Sequence, residues 1–244
     1  MPAPMLSVEP LVRLWKGIVA GERLDERTLA DMARSAADIL EAQASSESIT
    51  LSQAPKVEDY PFVHTLNVAV LSADLAKAIG WDRARQEEVA AAALLMDVGK
   101  LLLPQEILTK SGRLSDLEFE AIREHPADGA RLLLAARAPD LAVAVAYEHH
   151  MRHDGGGYPD PGRASLDWKP AMASALCQIA DCFDALRMHS PYHTGKDGVR
   201  VASVMRVETG RRFDPVLLDI FLDRISPKIA ATRASLAALA AAAG

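Results

Sequence analysis

Residues 149–159 read HHMRHDGGGYP and place two adjacent histidines, His149 and His150, directly before a glycine-rich turn. The preceding apolar segment, residues 139–148 (PDLAVAVAYE), is typical of a helix, so the two imidazoles lie at the end of a predicted helix. Neutral imidazole is a metal ligand, and glycine lets the backbone approach a bound group closely. The stretch therefore predicts half of a site that residues distant in sequence would complete.

Composition describes an ordinary helical protein with a single sizeable core. Of the 244 residues, 50% are apolar, 25% are charged and 5% are aromatic. The net charge of −6 disfavours a general nucleic-acid or membrane-surface binder, because such proteins need a basic face. No signal peptide or long apolar run is evident, and Cys177 and Cys182 form neither a C-x-x-C pair nor a disulfide framework. We therefore expect a cytoplasmic protein with free thiols.

Helical periodicity and capping signals extend over almost the whole chain. Helices are predicted over 9–20, 25–43, from Pro61 to Gly80, 83–96, 115–125, 140–150, 170–188, 197–208 and 215–225. Ser115 and Glu118 form a capping-box pattern, and Pro126 suits the first position of the next helix. Residues 97–100 break the helical pattern, and no segment has a convincing strand pattern. The fold class predicted is an all-α bundle.

Six residues in or beside apolar helical stretches are candidate metal ligands. They are His64, Asp97, His125, His149, His150 and Asp181. Burying an isolated charged group is costly, so such groups are usually paired, hydrogen-bonded or bound to metal. Imidazole and carboxylate together suit Fe, Mn, Zn, Ni or Co rather than thiolate chemistry. Taken singly, each His is more often structural and each Asp more often a cap, so spacing suggests a metal site without establishing it.

In order and spacing, several motifs resemble the HD-GYP family, a branch of the HD-domain phosphohydrolases. The motifs are His64, residues 96–100 (MDVGK), His125-Pro126, His149-His150, residues 154–159 (DGGGYP) and residues 181–186 (DCFDAL). Similarity continues through Pro191-Tyr192 and residues 210–215 (GRRFDP).

The resemblance implies an HD-domain helical bundle of about seven helices that encloses two or three metal ions. On this basis the chain divides into a helical N-terminal extension (1–59), an HD-GYP-like domain (60–226) and an alanine-rich tail (227–244). The tail is compatible with a helix, a segment that docks on a partner, or a frayed end.

The resemblance also implies hydrolysis of cyclic di-GMP to pGpG or GMP. One metal would be held by His64, the histidine of the HD pair and Asp181; the other by His125, His149 and His150, with Asp97 bridging the two. Lys100 matches a lysine that contacts the substrate phosphate, so Asp97 and Lys100 are the expected catalytic residues. Lys100, Asp154, Gly157, Tyr158 and Pro159 are the expected substrate-binding residues. Two cations would activate a bridging water and offset the charge on the phosphoryl oxygens.

The chain departs from the family pattern at several positions. Met96 stands where the family has the HD histidine, and a thioether is a poor substitute for imidazole on a hard divalent metal. This loss of a ligand predicts one ion, or a second ion held weakly. Tyr60 replaces a glutamate that supplies a third metal in some members, so a trinuclear site is not expected. Fe or Mn is expected first, then Ni, Mg or Zn. Met151 replaces a usual glutamate, and Ala175 and His193 stand where arginines are common.

Two functions remain open at this stage. The first is a phosphodiesterase for cyclic di-GMP, impaired by the loss of one metal ligand. The second is a catalytically degenerate module that binds a nucleotide or a protein partner. A third, weaker alternative is a different phosphorylated substrate, such as another cyclic dinucleotide. The expected partners are cyclic di-GMP or a related nucleotide, with a signalling protein or a homodimer left open, and neither nucleic acid nor membrane is expected.

Overall fold

The computed structural model describes residues 7–42, 51, 59–110, 112–160, 170–188, 198–227 and 229. Within these ranges the regular structure is helical, with two isolated β-bridges and no strand, which confirms the predicted all-α fold. The helices are α1 (Val8–Val19), α2 (Glu26–Ala42), α3 (Tyr60–Ala78), α4 (Arg83–Leu95), the 3-10 helix (Val98–Leu102), α5 (Gln105–Leu108), α6 (Asp116–Arg123), α7 (His125–Ala135), α8 (Asp140–Glu148), α9 (Met172–Arg187), α10 (Gly198–Val207) and α11 (Pro215–Arg224).

Helix α3 is the centre of the bundle. Every residue from 63 to 76 is buried, and the helix packs mainly against α4 and α9. A helix that is apolar around most of its circumference has no face for water, so it is stable only where other helices surround it. Pro61 lies in its first turn, where the missing N–H costs no helical hydrogen bond.

The N-terminal helices share the core of the rest of the chain. The Trp15 indole is fully buried in α1, and its Nε1–H donates to the Leu94 carbonyl at 2.8 Å. Helix α2 packs on α3 and α4, where Arg83 pairs with Asp38 at 2.5 Å and Glu41 at 2.9 Å. The division between an N-terminal extension (1–59) and an HD-GYP-like domain (60–226) stays a prediction.

The break after α4 brings Asp97 next to the start of α7. The 3-10 helix packs against α7 so closely that a Cβ on Gly99 would lie 2.1 Å from the His125 carbonyl oxygen. Only glycine permits this approach. The predicted interruption of helical structure at 97–100 thus places Asp97 and His125 side by side.

The sequence signals that predicted where helices begin are confirmed for α6 and α7. The Glu118 N–H donates to Ser115 Oγ at 3.3 Å and the Ser115 N–H donates to Glu118 Oε2 at 2.6 Å, which confirms the capping box. Pro126 lies in the first turn of α7, as predicted. The short helix α5 was not predicted. The predicted motif residues Pro191, Tyr192 and His193 and most of the tail lie outside the described residues. None of the described helices combines the length and apolarity needed to cross a bilayer.

Candidate metal centre

Two buried histidines each turn one ring nitrogen, Nε2, towards the other ring. His125 Nδ1 donates to the Ile122 carbonyl at 2.6 Å, and His149 Nδ1 lies 3.0 Å from the Ala146 carbonyl. A neutral imidazole that donates through Nδ1 keeps only a lone pair on Nε2. The two Nε2 atoms are nevertheless 3.2 Å apart, and both rings are fully buried. Two imidazole nitrogens this close in a fully buried position are typical of ligands to a shared cation.

Asp97 adds a third acceptor to the pair. Its Oδ2 accepts from Lys100 Nζ at 2.7 Å, whereas its Oδ1 lies 3.3 Å from His125 Nε2 and 3.5 Å from His149 Nε2. This buried Oδ1 finds no hydrogen-bond donor among the described residues. Burial alone would raise the pKa of Asp97, but the Lys100 charge and the contacts with His125 and His149 hold it well below its usual range. The carboxylate is therefore ionised, and its Oδ1 faces the two imidazole Nε2 atoms.

His150 completes the cluster. Potential ligand atoms of His125, His149 and His150 all lie within 4.8 Å of one another. Burial and the neighbouring His149 lower the pKa of the half-buried His150 well below its ordinary value, so its ring is neutral. Ligand atoms at about 2.0–2.2 Å from one ion are expected to lie roughly 3–3.6 Å apart. The separations among Asp97 Oδ1 and the Nε2 atoms of His125 and His149 match this, so these three residues fit a divalent metal. His150 is a further candidate ligand, within 4.8 Å of the other two histidines.

The other predicted ligands, His64 and Asp181, form a separate and internally paired group. His64 Nε2 contacts Asp181 Oδ1 and His64 Nδ1 contacts Asp184 Oδ2, both at 2.9 Å. Burial opposes charge on His64, but the two carboxylates outweigh it and raise its pKa to about 9. Asp184 also accepts from Asn67 at 3.2 Å and from Arg187 at 2.7 Å. Each polar atom of the His64 ring thus already has a partner.

Met96 is part of the apolar core. Its side chain is fully buried, and it immediately precedes Asp97 at the end of α4. Tyr60 stacks parallel to the His64 ring with the centroids 5.8 Å apart. The structure therefore gathers Asp97, His125, His149 and His150, and it pairs His64 with Asp181; ligation by this second pair stays a prediction.

The glycine-rich turn places Tyr158 against the histidine cluster. Gly157 has φ +90°, and a Cβ there would lie 2.2 Å from the His150 carbonyl oxygen. The Tyr158 N–H donates to this same oxygen at 3.3 Å, and the Tyr158 ring lies 4.6 Å from the His150 ring between centroids. The Arg123 guanidinium lies 5.1 Å from the centre of the Tyr158 ring. Gly157 thus allows the Tyr158 ring to pack against His150.

Asp154 stabilises the same glycine-rich turn through its side-chain and backbone contacts. Its Oδ1 accepts from the Gly156 N–H at 3.1 Å, and its Oδ2 pairs with Arg152. The Asp154 N–H donates to the Arg211 carbonyl at 2.9 Å, which joins the turn to the segment before α11. A structural role for this carboxylate is therefore evident. The substrate-binding roles assigned to Asp154, Gly157 and Pro159 stay predictions.

Sequence reasoning missed the residues that orient the ligands. Gln178 of α9 is buried, and its Nε2–H groups donate to the Met151 carbonyl at 2.6 Å and the His149 carbonyl at 3.2 Å. Glu148 Oε2 accepts from the Ala171 N–H at 2.9 Å and from Ser174 Oγ at 2.7 Å. These bonds tie the double-histidine turn to α9. The signal available was spacing, since Gln178 and Asp184 lie three residues before and after Asp181 on one helix.

Buried His and Asp side chains converge from α7, the end of α8 and the end of α4 inside an all-α bundle, an arrangement typical of helical proteins that hold a metal in their core. The chain belongs to the HD-domain family, because a family profile described as "HD domain" matches residues 27–217. The resemblance to the HD-GYP branch is confirmed, since relatives include proteins named cyclic di-GMP phosphodiesterases. HD-domain phosphohydrolases are metal-dependent, in agreement with the histidine cluster.

Two relatives and one solved structure illustrate the similarity. A cyclic di-GMP phosphodiesterase of Pseudomonas aeruginosa is 33% identical over 169 residues, covering 69% of this chain and 40% of that protein. A 3'3'-cGAMP-specific phosphodiesterase of Vibrio cholerae is 33% identical over 165 residues, covering 67% and 37%. The chain thus spans less than half the length of these relatives. The HDG"Y"P protein Bd1817 of Bdellovibrio bacteriovorus shares the fold, with a TM-score of 0.68 and 15% identity over 88% of this chain and 68% of that one.

Proposed function

We propose that the chain is a metal-dependent phosphodiesterase that hydrolyses cyclic di-GMP to pGpG and GMP, with turnover lowered by Met96. One observation carries the proposal: Asp97 Oδ1 and the Nε2 atoms of His125 and His149 converge at 3.2–3.5 Å in a buried place. Relatives named as phosphodiesterases of cyclic di-GMP and of 3'3'-cGAMP support the substrate class.

The residues present fit a single ion more readily than two. Asp97, His125, His149 and His150 would hold it, and a metal so held lowers the pKa of water and withdraws charge from phosphoryl oxygens. The carboxylate and imidazole set favours Fe or Mn and also admits Ni, Mg or Zn.

The side chains around this cluster supply positive charge and a hydroxyl. Lys100 keeps its ammonium 2.7 Å from Asp97 Oδ2, with 23% of the side chain exposed, so it can reach a phosphate while it neutralises the carboxylate. Burial, followed by the charges of Asp181 and Asp97, raises the pKa of Tyr158, so its hydroxyl keeps its proton and can donate a hydrogen bond. Both groups are placed to orient an anionic substrate rather than to act as a base.

A second function, a degenerate module that binds a nucleotide or protein without turnover, is favoured by a different observation. Met96 is wholly embedded in the apolar core, and His64 is already bound to Asp181 on one side and Asp184 on the other. A site that requires two metals would lose its second ion under these conditions.

Turnover by the purified protein distinguishes the two. We expect release of pGpG and GMP from cyclic di-GMP by protein loaded with Mn or Fe, and no release after chelation. Asp128→Asn on α7, whose carboxylate pairs with Arg131, is the matched control and should retain the activity. Cyclic di-GMP binding without turnover in either metal would instead establish a nucleotide-binding degenerate module. The absence of both binding and turnover would refute the phosphodiesterase and the cyclic di-GMP-binding module, and would leave the protein-binding module.

A further inference from the structure

We propose that Arg123 is a substrate-specificity residue that binds the phosphodiester of a cyclic dinucleotide that is not being cleaved. This inference rests on the proposed function, because it concerns how the same site would recognise its substrate. The observation behind it is the stack of Arg123 on Tyr158 on His150 at the edge of the histidine cluster.

The Arg123 guanidinium lies beside the candidate metal centre, separated from it by the Tyr158 ring, and is not itself a metal ligand. The Arg123 guanidinium lies 5.1 Å from the Tyr158 ring centre, and Tyr158 lies 4.6 Å from the ring of His150. Tyr158 also meets His125 edge-on at 6.4 Å. A cation over an aromatic face is held in place by the ring quadrupole, so the guanidinium has a defined position.

Arg123 retains hydrogen-bonding capacity towards a ligand. It ends α6 just two residues before His125, and 36% of its side chain is exposed. Its Nη1 pairs with Glu120 at 3.0 Å, while a guanidinium carries five donors in a planar fork. That fork matches two phosphate oxygens, and a lysine in the same place would act only as a point charge.

Among the described residues, the other cations near the site are differently engaged. Lys100 is bound to Asp97 at the cluster itself, Arg152 pairs with Asp154 within the turn, and Arg212 lies over Phe213 at 5.3 Å. A cyclic dinucleotide carries two phosphodiesters, and only one can occupy the metal cluster at a time. The remaining phosphate needs a cation outside the cluster, and Arg123 is positioned one aromatic ring away from it.

The test compares substrates with one and two phosphodiesters. Bis(p-nitrophenyl) phosphate has a single diester, whereas cyclic di-GMP has two. We expect Arg123→Met to raise KM for cyclic di-GMP about 10- to 100-fold, the usual worth of a charge-assisted hydrogen bond, with kcat changed far less. The kinetics of bis(p-nitrophenyl) phosphate should stay within about twofold, and Arg123→Lys should recover only part of the loss.

A matched control removes the same charge elsewhere. Arg34 on α2 forms a comparable i,i+3 pair with Asp31 at 3.0 Å, and Arg34→Met should leave both substrates unaffected. Equal losses for both substrates in Arg123→Met would overturn the proposal, because they would mean that Arg123 acts only by supporting Tyr158 and His150. No change for either substrate would overturn it as well.

The proposed function can fail separately. If wild type hydrolyses neither compound, cyclic di-GMP binding to the Mn-loaded protein is measured by calorimetry. Binding weakened about 10- to 100-fold in Arg123→Met alone would support the specificity role in a non-hydrolytic module. Unchanged binding in that variant, or no binding by wild type, would overturn it.

Discussion

The two halves of the candidate centre satisfy buried polar atoms in opposite ways. Around His64, each ring nitrogen meets a carboxylate, and the carboxylate of Asp184 is itself held by Arg187. Around Asp97, two imidazole nitrogens converge on a carboxylate oxygen that makes no regular hydrogen bond among the described residues. A network of paired charges is complete in itself, whereas converging ligand atoms favour a bound cation. We refer to these as the paired half and the convergent half.

The difference follows from what lies behind each histidine. In the convergent half, helix carbonyls of Ile122 and Ala146 accept from Nδ1, which turns the Nε2 atoms inwards. In the paired half, α9 offers two carboxylates at i and i+3, Asp181 and Asp184, to the two nitrogens of one ring. A carbonyl behind a histidine fixes the orientation of the ring, whereas a carboxylate at each nitrogen favours the doubly protonated ring.

The largest expected effect compares one carboxylate from each half. Asp97→Asn should lower metal-dependent turnover by roughly a thousandfold or more and reduce bound metal, since a ligand lost from the cluster costs more than the 10- to 100-fold typical of supporting residues. Asp181→Asn should cost less than Asp97→Asn and leave the tightly bound ion in place. Turnover and metal content per chain provide the measurement. Equal losses of metal in the two variants would contradict the division into halves.

The next effect concerns the stability of the paired half. Asp184→Asn should lower the free energy of unfolding by about 3 to 5 kcal/mol, because it removes one member of a fully buried charge network and leaves Arg187 unpaired. Urea unfolding of the metal-free protein measures this change. Asp219→Asn, at an exposed pair with Arg206, is the control and should change stability by less than about 1 kcal/mol. A similar small change in Asp184→Asn would show that the network is not tightly coupled.

The pH dependence of the metal-free protein should have opposite slopes for the two halves. The pKa of His64 is raised from 6.5 to about 9, so its contribution is complete below pH 6.5 and is lost as the pH rises to about 9, by roughly 3 kcal/mol. Burial lowers the pKa values of His125 and His150, so the convergent half loses stability as the pH falls below 6.5.

Stability of the chelated protein should therefore be greatest near pH 6.5, as measured by urea midpoints from pH 5 to 9. His64→Gln should flatten the alkaline side and leave the acid side unchanged. A wild-type curve that is flat from pH 6.5 to 9 would contradict the ion pairing assigned to His64.

The fold was largely predictable because its signals are local. The capping box at Ser115 and Glu118, the proline in the first turn of α7 and the apolar character of α3 each act within one or two turns of helix. The four-residue helix α5 was missed, because a single turn is too short for periodicity to appear.

The candidate centre was predictable in membership and not in internal arrangement. The histidines and aspartates could be named from their motifs, and the structure brings Asp97, His125, His149 and His150 together. Which nitrogen of a histidine ring carries a proton depends on the hydrogen-bond partners of that ring. For His64 those partners lie 117 and 120 residues away in the sequence. Spacing within one helix carries no information about such contacts.

The variant with the smallest expected change in stability tests whether the paired half is a metal site that lacks one ligand or a purely structural group. Met96→His would place an imidazole in a fully buried apolar position, so the metal-free variant should lose about 1 to 3 kcal/mol of stability. If Met96 occupies the place of a ligand, the same variant should bind a second Mn or Fe ion and gain turnover. Met205→His, at another buried methionine on α10, is the matched control and should lose stability without gaining metal.

Metal content per chain decides between two origins for the paired half. Two ions in Met96→His and one in wild type would mean that His64 releases Asp181 once a third ligand is available, so the paired half is a metal site closed by the loss of one imidazole. One ion in both proteins would mean that the bonds from Asp181 and Asp184 outweigh the gain from a new ligand. The paired half would then be structural whatever residue stands at position 96, and its charges would serve to position α9 behind the convergent half.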